Sequence, residues 1–259
     1  SLVTDLKRYS VASVTPTILD PETTYLTLVS DFKYNSSITT KDVTTLQTNV
    51  LSTISSYSSS SLQNFTGMFR HSALSKNIDA ADTSILSNVT TVKMYKYFAP
   101  TLNSALKYTI SYNNAFYNPH SEHNKTAGGI VSSTGFKIND DSSASEHFLD
   151  DDGSGIIRAY YLVSGTRTYT DSTYGTINYT TGEIILTSAH LTSVSNVDGA
   201  TSTVVRVFVI PNSNDVVPVR NQVLQIDTAN STVTGEVDAI ESGSSQAGTS
   251  YTTSSSYSS

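Results

Sequence analysis

The sequence lacks cysteine and tryptophan, and it has few charged residues. Of its 259 residues, 14% are Asp, Glu, Lys or Arg, against about 25% in an average soluble domain. Without cysteine the chain can form neither disulfide bonds nor thiolate metal sites. No apolar run reaches the roughly 18 residues that predict a membrane-spanning helix, so we expect no membrane partner. A net charge of −7 and the absence of any Lys/Arg block argue against a nucleic-acid partner.

Serine and threonine are abundant in place of charge. Together they make up about 80 residues, and tyrosine contributes 16 more. Threonine and tyrosine suit pleated, half-buried strands, so the composition favours β structure. The apolar fraction of 37% is sufficient for a core. The exception is residues 241–259, a low-complexity Ser/Thr segment whose composition predicts disorder when it is alone.

Two helices are predicted in the first half of the chain. The clearer one starts after a cap at Thr39 or Thr40 and ends at the run Ser58–Ser61. Its apolar residues recur every three or four positions, the period of a helix; they are Val43, Leu46, Val50, Ile54 and Tyr57. A weaker helix is predicted over Met68–Ala81, with Phe69, Leu74 and Ile78 on one face.

Strands are predicted on both sides of these helices. Val11–Tyr34 reads as extended, and Val89–Phe98 and Leu106–Tyr112 follow the second helix. The second half contains several short strands, including a hairpin across Thr180–Gly182. We therefore predict an α+β fold class: a small strand-helix-helix-strand unit over residues 1–113, a β-rich unit over 114–240 and a Ser/Thr-rich tail over 241–259.

Two motifs resemble metal sites but lack the necessary ligands. His120 and His123 are three residues apart, but Pro119 and the Asn-rich flanks argue against a helix, and no third ligand is placed. Asp150, Asp152 and Ser154 alternate like the start of a calcium loop, but Tyr161 stands where the twelfth-position glutamate is needed. We predict no metal site and interpret the acidic segment as a solvated turn that leads into a strand.

Signatures of catalysis are also missing. The chain has no Gly-x-Ser-x-Gly elbow and no Gly-rich phosphate loop. We therefore predict no catalytic residue, no cofactor and no enzyme activity.

Tyrosine-rich segments are better suited to contacts between proteins. Tyrosine is enriched at interfaces because it buries a large area and keeps a polar tip. Lys93–Tyr97 predicts an amphipathic strand with Tyr and Lys on its wetter face. The predicted contact residues are Thr44 and Gln47 on the polar face of the first helix, and Tyr95 and Tyr97 on this strand.

Four phrases, in this order along the chain, resemble one family. The first runs from Tyr9 to Leu26 and contains Ile18-Leu19-Asp20-Pro21-Glu22. The second is Phe69-Arg70-His71-Ser72-Ala73-Leu74, which is followed by Ile85-Leu86-Ser87-Asn88. The third is Gly175–Leu186 and the fourth is Asn221–Asp227. Together they are similar to the baseplate wedge subunit of T4-like contractile-tailed bacteriophages, a member of the baseplate-J-like family.

The resemblance implies a structural role in the virion, in a tail baseplate assembled from proteins made in the host bacterial cytoplasm. Such subunits associate with copies of themselves and with other wedge proteins, and they link into a ring around the tail tube. Wedge subunits are longer, which implies that this chain is a C-terminal portion. The alternative is a β-rich receptor- or carbohydrate-binding tail protein, although the missing tryptophan argues against a sugar platform.

Overall fold

The structure is a computed structural model that describes residues 21–123, 128–141, 145–219 and 221–239. Two predicted segments, residues 11–20 of the first strand and the tail over 241–259, lie outside these described residues. Strands and bridges account for 47% of the described residues and helices for 14%. The predicted α+β class is therefore wrong, because the protein is mostly β.

One sheet has six strands drawn from both ends of the chain. They are β1 (Glu22–Tyr34), β2 (Ile85–Phe98), β4 (Ser132–Ser133), β10 (Val205–Val209), β11 (Gln222–Ile226) and β12 (Thr232–Val237). The order is β11–β1–β2–β10–β4, with β12 also beside β1. The long β1 pairs in parallel with β11 along its first half and with β12 along its second half. It pairs antiparallel with β2 on its other side.

The other sheet closes into a five-stranded barrel. The six strands of this sheet are β3 (Ala105–Ser111), β5 (Phe136–Ile138), β6 (His147–Asp151), β7 (Ile156–Val163), β8 (Thr166–Asn178) and β9 (Glu183–Val194). Strands β5 to β9 pair in sequence, and the ring closes because β9 pairs with both β5 and β8. Strand β3 adds to the barrel along β9. The predicted hairpin is confirmed, since Asn178 pairs with Glu183 at the start of β8–β9 pairing.

Helix α1 spans Val43–Tyr57 and buries the predicted stripe, with Leu46, Val50, Ile54 and Tyr57 in the core. Its cap is Asp42 rather than Thr39 or Thr40, because the Asp42 carboxylate accepts a hydrogen bond from Thr45 N at 2.8 Å. The α-helix ends where the serine run begins, as predicted. A π-helical turn continues over Ser58–Leu62, and the buried Ser58 hydroxyl accepts the Ile226 N–H at 2.9 Å.

Helix α2 spans His71–Asp79 and starts later than predicted. The backbone of Phe69 pairs with Val216 instead, so this buried residue lies in an extended segment. Asp215 then receives hydrogen bonds from His71 N at 2.9 Å and from Arg70 Nη1 at 2.8 Å. Leu74 and Ile78 are buried, as the pattern predicted.

The helices cover one face of the six-stranded sheet. Alternate residues of β1, such as Leu28 and Phe32, are buried on this face. Asn88 of β2 donates to the Ser75 carbonyl of α2 at 3.0 Å, which places α2 on the same side. The other face carries the intervening residues of each strand, and it is the face on which exposed side chains occur.

Lys96 and Tyr112 join this sheet to the barrel. Lys96 is 3% exposed, and its Nζ donates to the Ser111 carbonyl at 2.6 Å and to Glu22 at 2.5 Å. The prediction that Lys lies on the wetter face of this strand is wrong at Lys96, where burial lowers the side-chain pKa. Tyr112 donates to the Val207 carbonyl of β10. Strands β10, β11 and β12 complete the first sheet although they come from the second half of the chain. The division of the chain at residue 113 stays a prediction.

Candidate contact surface

The uncovered side of the six-stranded sheet is the most distinctive surface among the described residues. We call it the open face and define it by the outward side chains of β1, β2 and β10, which are Tyr25, Thr27, Val29, Val89, Thr91, Lys93, Tyr95, Tyr97, Arg206 and Phe208. They lie side by side because strand pairing sets Tyr25 opposite Tyr95, and Tyr95 opposite Phe208. The pairing therefore builds a row of aromatic rings across three strands.

The rings of this row are packed against one another. Tyr25 and Tyr95 stack with their centroids 5.0 Å apart and an interplanar angle of 11°. Tyr97 meets the edges of both rings, at 5.2 Å from Tyr25 and 5.4 Å from Tyr95. Phe208 lies 5.0 Å from Tyr95 on the far side. Aromatic pairs of this kind contribute about 0.5–1.5 kcal/mol beyond the burial of their apolar surface. These contacts therefore help to hold the rings in place.

Polar groups hold the rim of the aromatic cluster. Tyr95 Oη donates to Asp227 Oδ2 at 2.6 Å, and Asn230 Nδ2 donates to the same oxygen at 2.7 Å. The Arg206 guanidinium lies 5.5 Å from the ring centroids of both Tyr95 and Tyr97. Arg206 Nη2 also donates to Asp198 at 2.5 Å. These contacts with Asp227 and Arg206 help to hold the rings of Tyr95 and Tyr97 in place.

Electrostatics keep the tyrosine hydroxyls protonated. Burial, and then the hydrogen bond to Asp227, raises the pKa of Tyr95. Burial is also the main cause that raises the pKa of Tyr25. The hydrogen bond from Arg206 lowers the pKa of Asp198. The Tyr95 hydroxyl therefore stays protonated and remains a donor to Asp227 throughout the physiological pH range.

The open face is chemically suited to packing against a protein surface. Tyr97 is 40% exposed, Val29 44% and Val89 69%, so apolar area is available along the whole sheet. Lys93 and the hydroxyls of Thr27 and Thr91 supply scattered polar groups between these side chains. Protein contact surfaces typically combine aromatic anchors with a polar rim.

The structure separates the two predicted pairs of contact residues. Tyr95 and Tyr97 belong to the open face, although Tyr95 is only 1% exposed and supports Tyr97 from beneath. Thr44 and Gln47 lie on α1, on the opposite side of the sheet. Thr44 is exposed and Gln47 is half-buried. Whether either pair makes contacts in an assembly stays a prediction.

Sequence reasoning missed several residues of the open face and of its polar rim. Tyr25, Arg206, Phe208, Asp227 and Asn230 are up to 205 positions apart in the chain, and no motif connects them. They meet only because β10 and the segment after β11 return to β1 and β2. The period-two pattern around Tyr25 was the one local signal.

A buried polar cluster in the barrel corrects the interpretation of Asp150–Asp152 as a solvated turn. Asp150 and Asp151 are fully buried in β6. Asp150 accepts from Arg158 Nε at 2.9 Å and Arg167 Nη1 at 2.8 Å. Asp151 accepts from the backbone N–H groups of residues 130, 131 and 153 and from a tyrosine hydroxyl. Buried charges need such partners, so Asp150 and Asp151 belong to the interior of the barrel and not to a solvated turn.

The described residues contain no group of three or more His, Asp or Glu side chains arranged to hold a metal ion. His120 and His123 lie together on an exposed turn, with His120 Nε2 and His123 Nδ1 3.1 Å apart. In the part of the chain that the structure describes, no helix has the length and apolarity needed to cross a bilayer.

Two strands of the open face, β1 and β2, lie in a segment that matches a known family model. Residues 22–97 match the family model described as baseplate structural protein gp6, C-terminal domain III. The resemblance to a T4-like baseplate wedge family is thereby confirmed over a segment that spans β1 to β2 and makes up less than a third of the chain. The match supports a structural role in a phage baseplate. None of the curated proteins compared with the chain matches it.

Proposed function

We propose that this chain is a non-enzymatic wedge component of a contractile tail baseplate. In this role it links wedge subunits into a ring around the tail tube through contacts with its own copies and with other wedge proteins. Synthesis takes place in the host bacterial cytoplasm, before assembly. The supporting observation is that Tyr25, Val89, Tyr95 and Tyr97 all lie on the open face and all fall within the matched segment 22–97.

The open face is proposed as one contact surface and the outer side of α1, around Thr44 and Gln47, as another. Two surfaces on opposite sides of one sheet let a subunit contact two neighbours at once, which a ring requires. Low surface charge lowers the cost of desolvating both surfaces. The whole chain carries only 14% charged residues, which fits this proposal.

Substitutions on the open face test the first surface. Val89→Lys places a charge at its most exposed apolar position, opposite Asp31, where the new ammonium is tolerated in the free chain. Tyr97→Ala removes the exposed ring of the aromatic cluster. We expect each variant to weaken binding to other wedge proteins, or self-association, about tenfold or more, because anchor residues dominate interfaces. Sedimentation velocity and pull-down with purified wedge proteins measure both effects.

Leu162→Lys is the matched control, because Leu162 is 52% exposed on the barrel, away from the open face. It is expected to leave association unchanged. Equal association in the wild type, Val89→Lys and Tyr97→Ala would contradict the assignment of the open face. A chain that stays monomeric and binds no wedge protein would contradict the proposed function itself.

A further inference from the structure

His120 and His123 lie on a tight turn anchored to the barrel and outside the open face. His123 N donates to the His120 carbonyl at 3.1 Å, which closes the turn. Glu122 N donates to the Gly153 carbonyl at 2.9 Å, which attaches the turn to the segment between β6 and β7. Both histidine side chains are exposed to solvent. The turn therefore presents two imidazoles at one point on the surface.

The rings are close enough for two of their nitrogens to share one bound atom. His120 Nε2 and His123 Nδ1 are 3.1 Å apart, and the ring planes are at 89°. His120 Nδ1 lies 3.0 Å from the Ser121 carbonyl oxygen. A carbonyl oxygen can only accept, so Nδ1 carries the proton in the neutral ring. Nε2 of His120 then carries the lone pair and accepts the hydrogen bond from His123 Nδ1.

We propose that His120 Nε2 and His123 Nδ1 bind one divalent transition-metal ion, with Zn²⁺ as the probe. For an ion about 2.1 Å from each nitrogen, the nitrogen–metal–nitrogen angle would be about 95°, between the octahedral and tetrahedral values. Binding requires His123 to carry its proton on Nε2 while its ring keeps its place against Tyr117, whose ring centroid lies 5.6 Å away. The spacing alone predicted no site, and the 3.1 Å approach is what changes that conclusion.

In many metal sites, a carbonyl or carboxylate oxygen accepts the second ring N–H of a histidine ligand. The Ser121 carbonyl has this position beside His120. By accepting the Nδ1 proton it fixes the tautomer and orientation of His120, which makes Nε2 a better ligand. The net charge of −7 further favours a bound cation. Two protein ligands leave the other coordination positions to water, so binding is weaker than at a four-ligand structural zinc site.

Calorimetric titration of the full chain with zinc chloride at neutral pH tests the proposal. We expect one zinc ion per chain, and we expect His120→Ala and His123→Ala each to lower the affinity at least tenfold. Both positions are exposed, so neither substitution should unfold the protein, and circular dichroism spectra check this. His190→Ala, at a half-buried histidine of β9, is the matched control and should bind like the wild type.

A second readout identifies the atoms involved. In ¹H–¹⁵N spectra that report the imidazole nitrogens, zinc should shift the signals of His120 Nε2 and His123 Nδ1 and leave those of His190 in place. Absence of binding would overturn the proposal and leave the pair as a simple N–H···N hydrogen bond. Zinc binding that survives both alanine substitutions would also overturn it, since the ion would then lie elsewhere.

Discussion

At the scale of single residues, carboxylates determine how the stability of this chain responds to pH, and they do so in two directions. Hydrogen bonds from Lys41 and then from Ser84 lower the pKa of Asp82 to about 2. Burial raises the pKa of Asp151, despite the hydrogen bonds it accepts. Ionised Asp82 therefore stabilises the folded state above its unfolded pKa. The contribution of Asp151 is larger at low pH, and it falls as the pH rises through its folded-state value.

Asp82→Asn tests the first of these effects. Asp82 ties the segment before α1 to the segment before β2 through Lys41 Nζ, at 2.5 Å. We expect the wild type to be more stable than the variant by about 1–2 kcal/mol at pH 6. This advantage should be lost as the pH falls from about 4 to about 2, because Asp82 then becomes protonated in both states. Urea unfolding at several pH values measures it.

Asp31→Asn is the control for this experiment, because Asp31 is an exposed strand residue. Its stability relative to the wild type should change little between pH 6 and pH 2. If the wild type were more stable than Asp82→Asn by the same amount at both pH values, the assignment of this pH dependence to Asp82 would be contradicted.

At the scale of elements, predictions succeeded where the pattern is local and long. The stripe from Val43 to Tyr57 defines α1 because about four helical turns repeat the same spacing. The prediction failed at β6, where Asp150 and Asp151 read as a solvated turn. Asp150 pairs with Arg158 and Arg167 on other strands. Asp151 accepts from backbone N–H groups at residues 130, 131 and 153 and from the Tyr179 hydroxyl. The local sequence therefore carries no sign that these carboxylates are buried.

Barrel closure depends on close contact between β8 and β9 at Gly175. A Cβ atom at this position would lie 2.2 Å from the Ile185 carbonyl oxygen, which belongs to the backbone and cannot move aside. We expect Gly175→Ala to destabilise the protein by about 2–4 kcal/mol, because the two strands must separate. Thermal or urea unfolding measures this loss.

Thr176→Ala is the neighbouring control on β8. Thr176 is exposed, so its variant should stay within about 0.5 kcal/mol of the wild type. A Gly175→Ala protein as stable as the Thr176→Ala protein would show that β8 and β9 do not approach each other as closely as described.

At the scale of the whole molecule, the fold class was the part that the sequence concealed. The first half does contain two helices between strands, and this order suggested an α+β unit. The six-stranded sheet, however, is completed by β10, β11 and β12, more than 100 residues further along the chain. Pairing of β1 with β11 and β12 is parallel and leaves no short-range signal, since only antiparallel neighbours can be joined by a tight turn. The open face also depends on strands that are distant in the chain. The sequence predicted only two of its residues, Tyr95 and Tyr97.

The central claim is that the open face becomes buried when the chain joins its neighbours in a baseplate. Because the chain has no cysteine, a single Val89→Cys substitution reports on this face alone. The direct measurement is the rate at which a maleimide labels this cysteine in the free chain and in the assembled baseplate. The account predicts labelling at least tenfold slower in the assembly, whereas equal rates in the two states would contradict it.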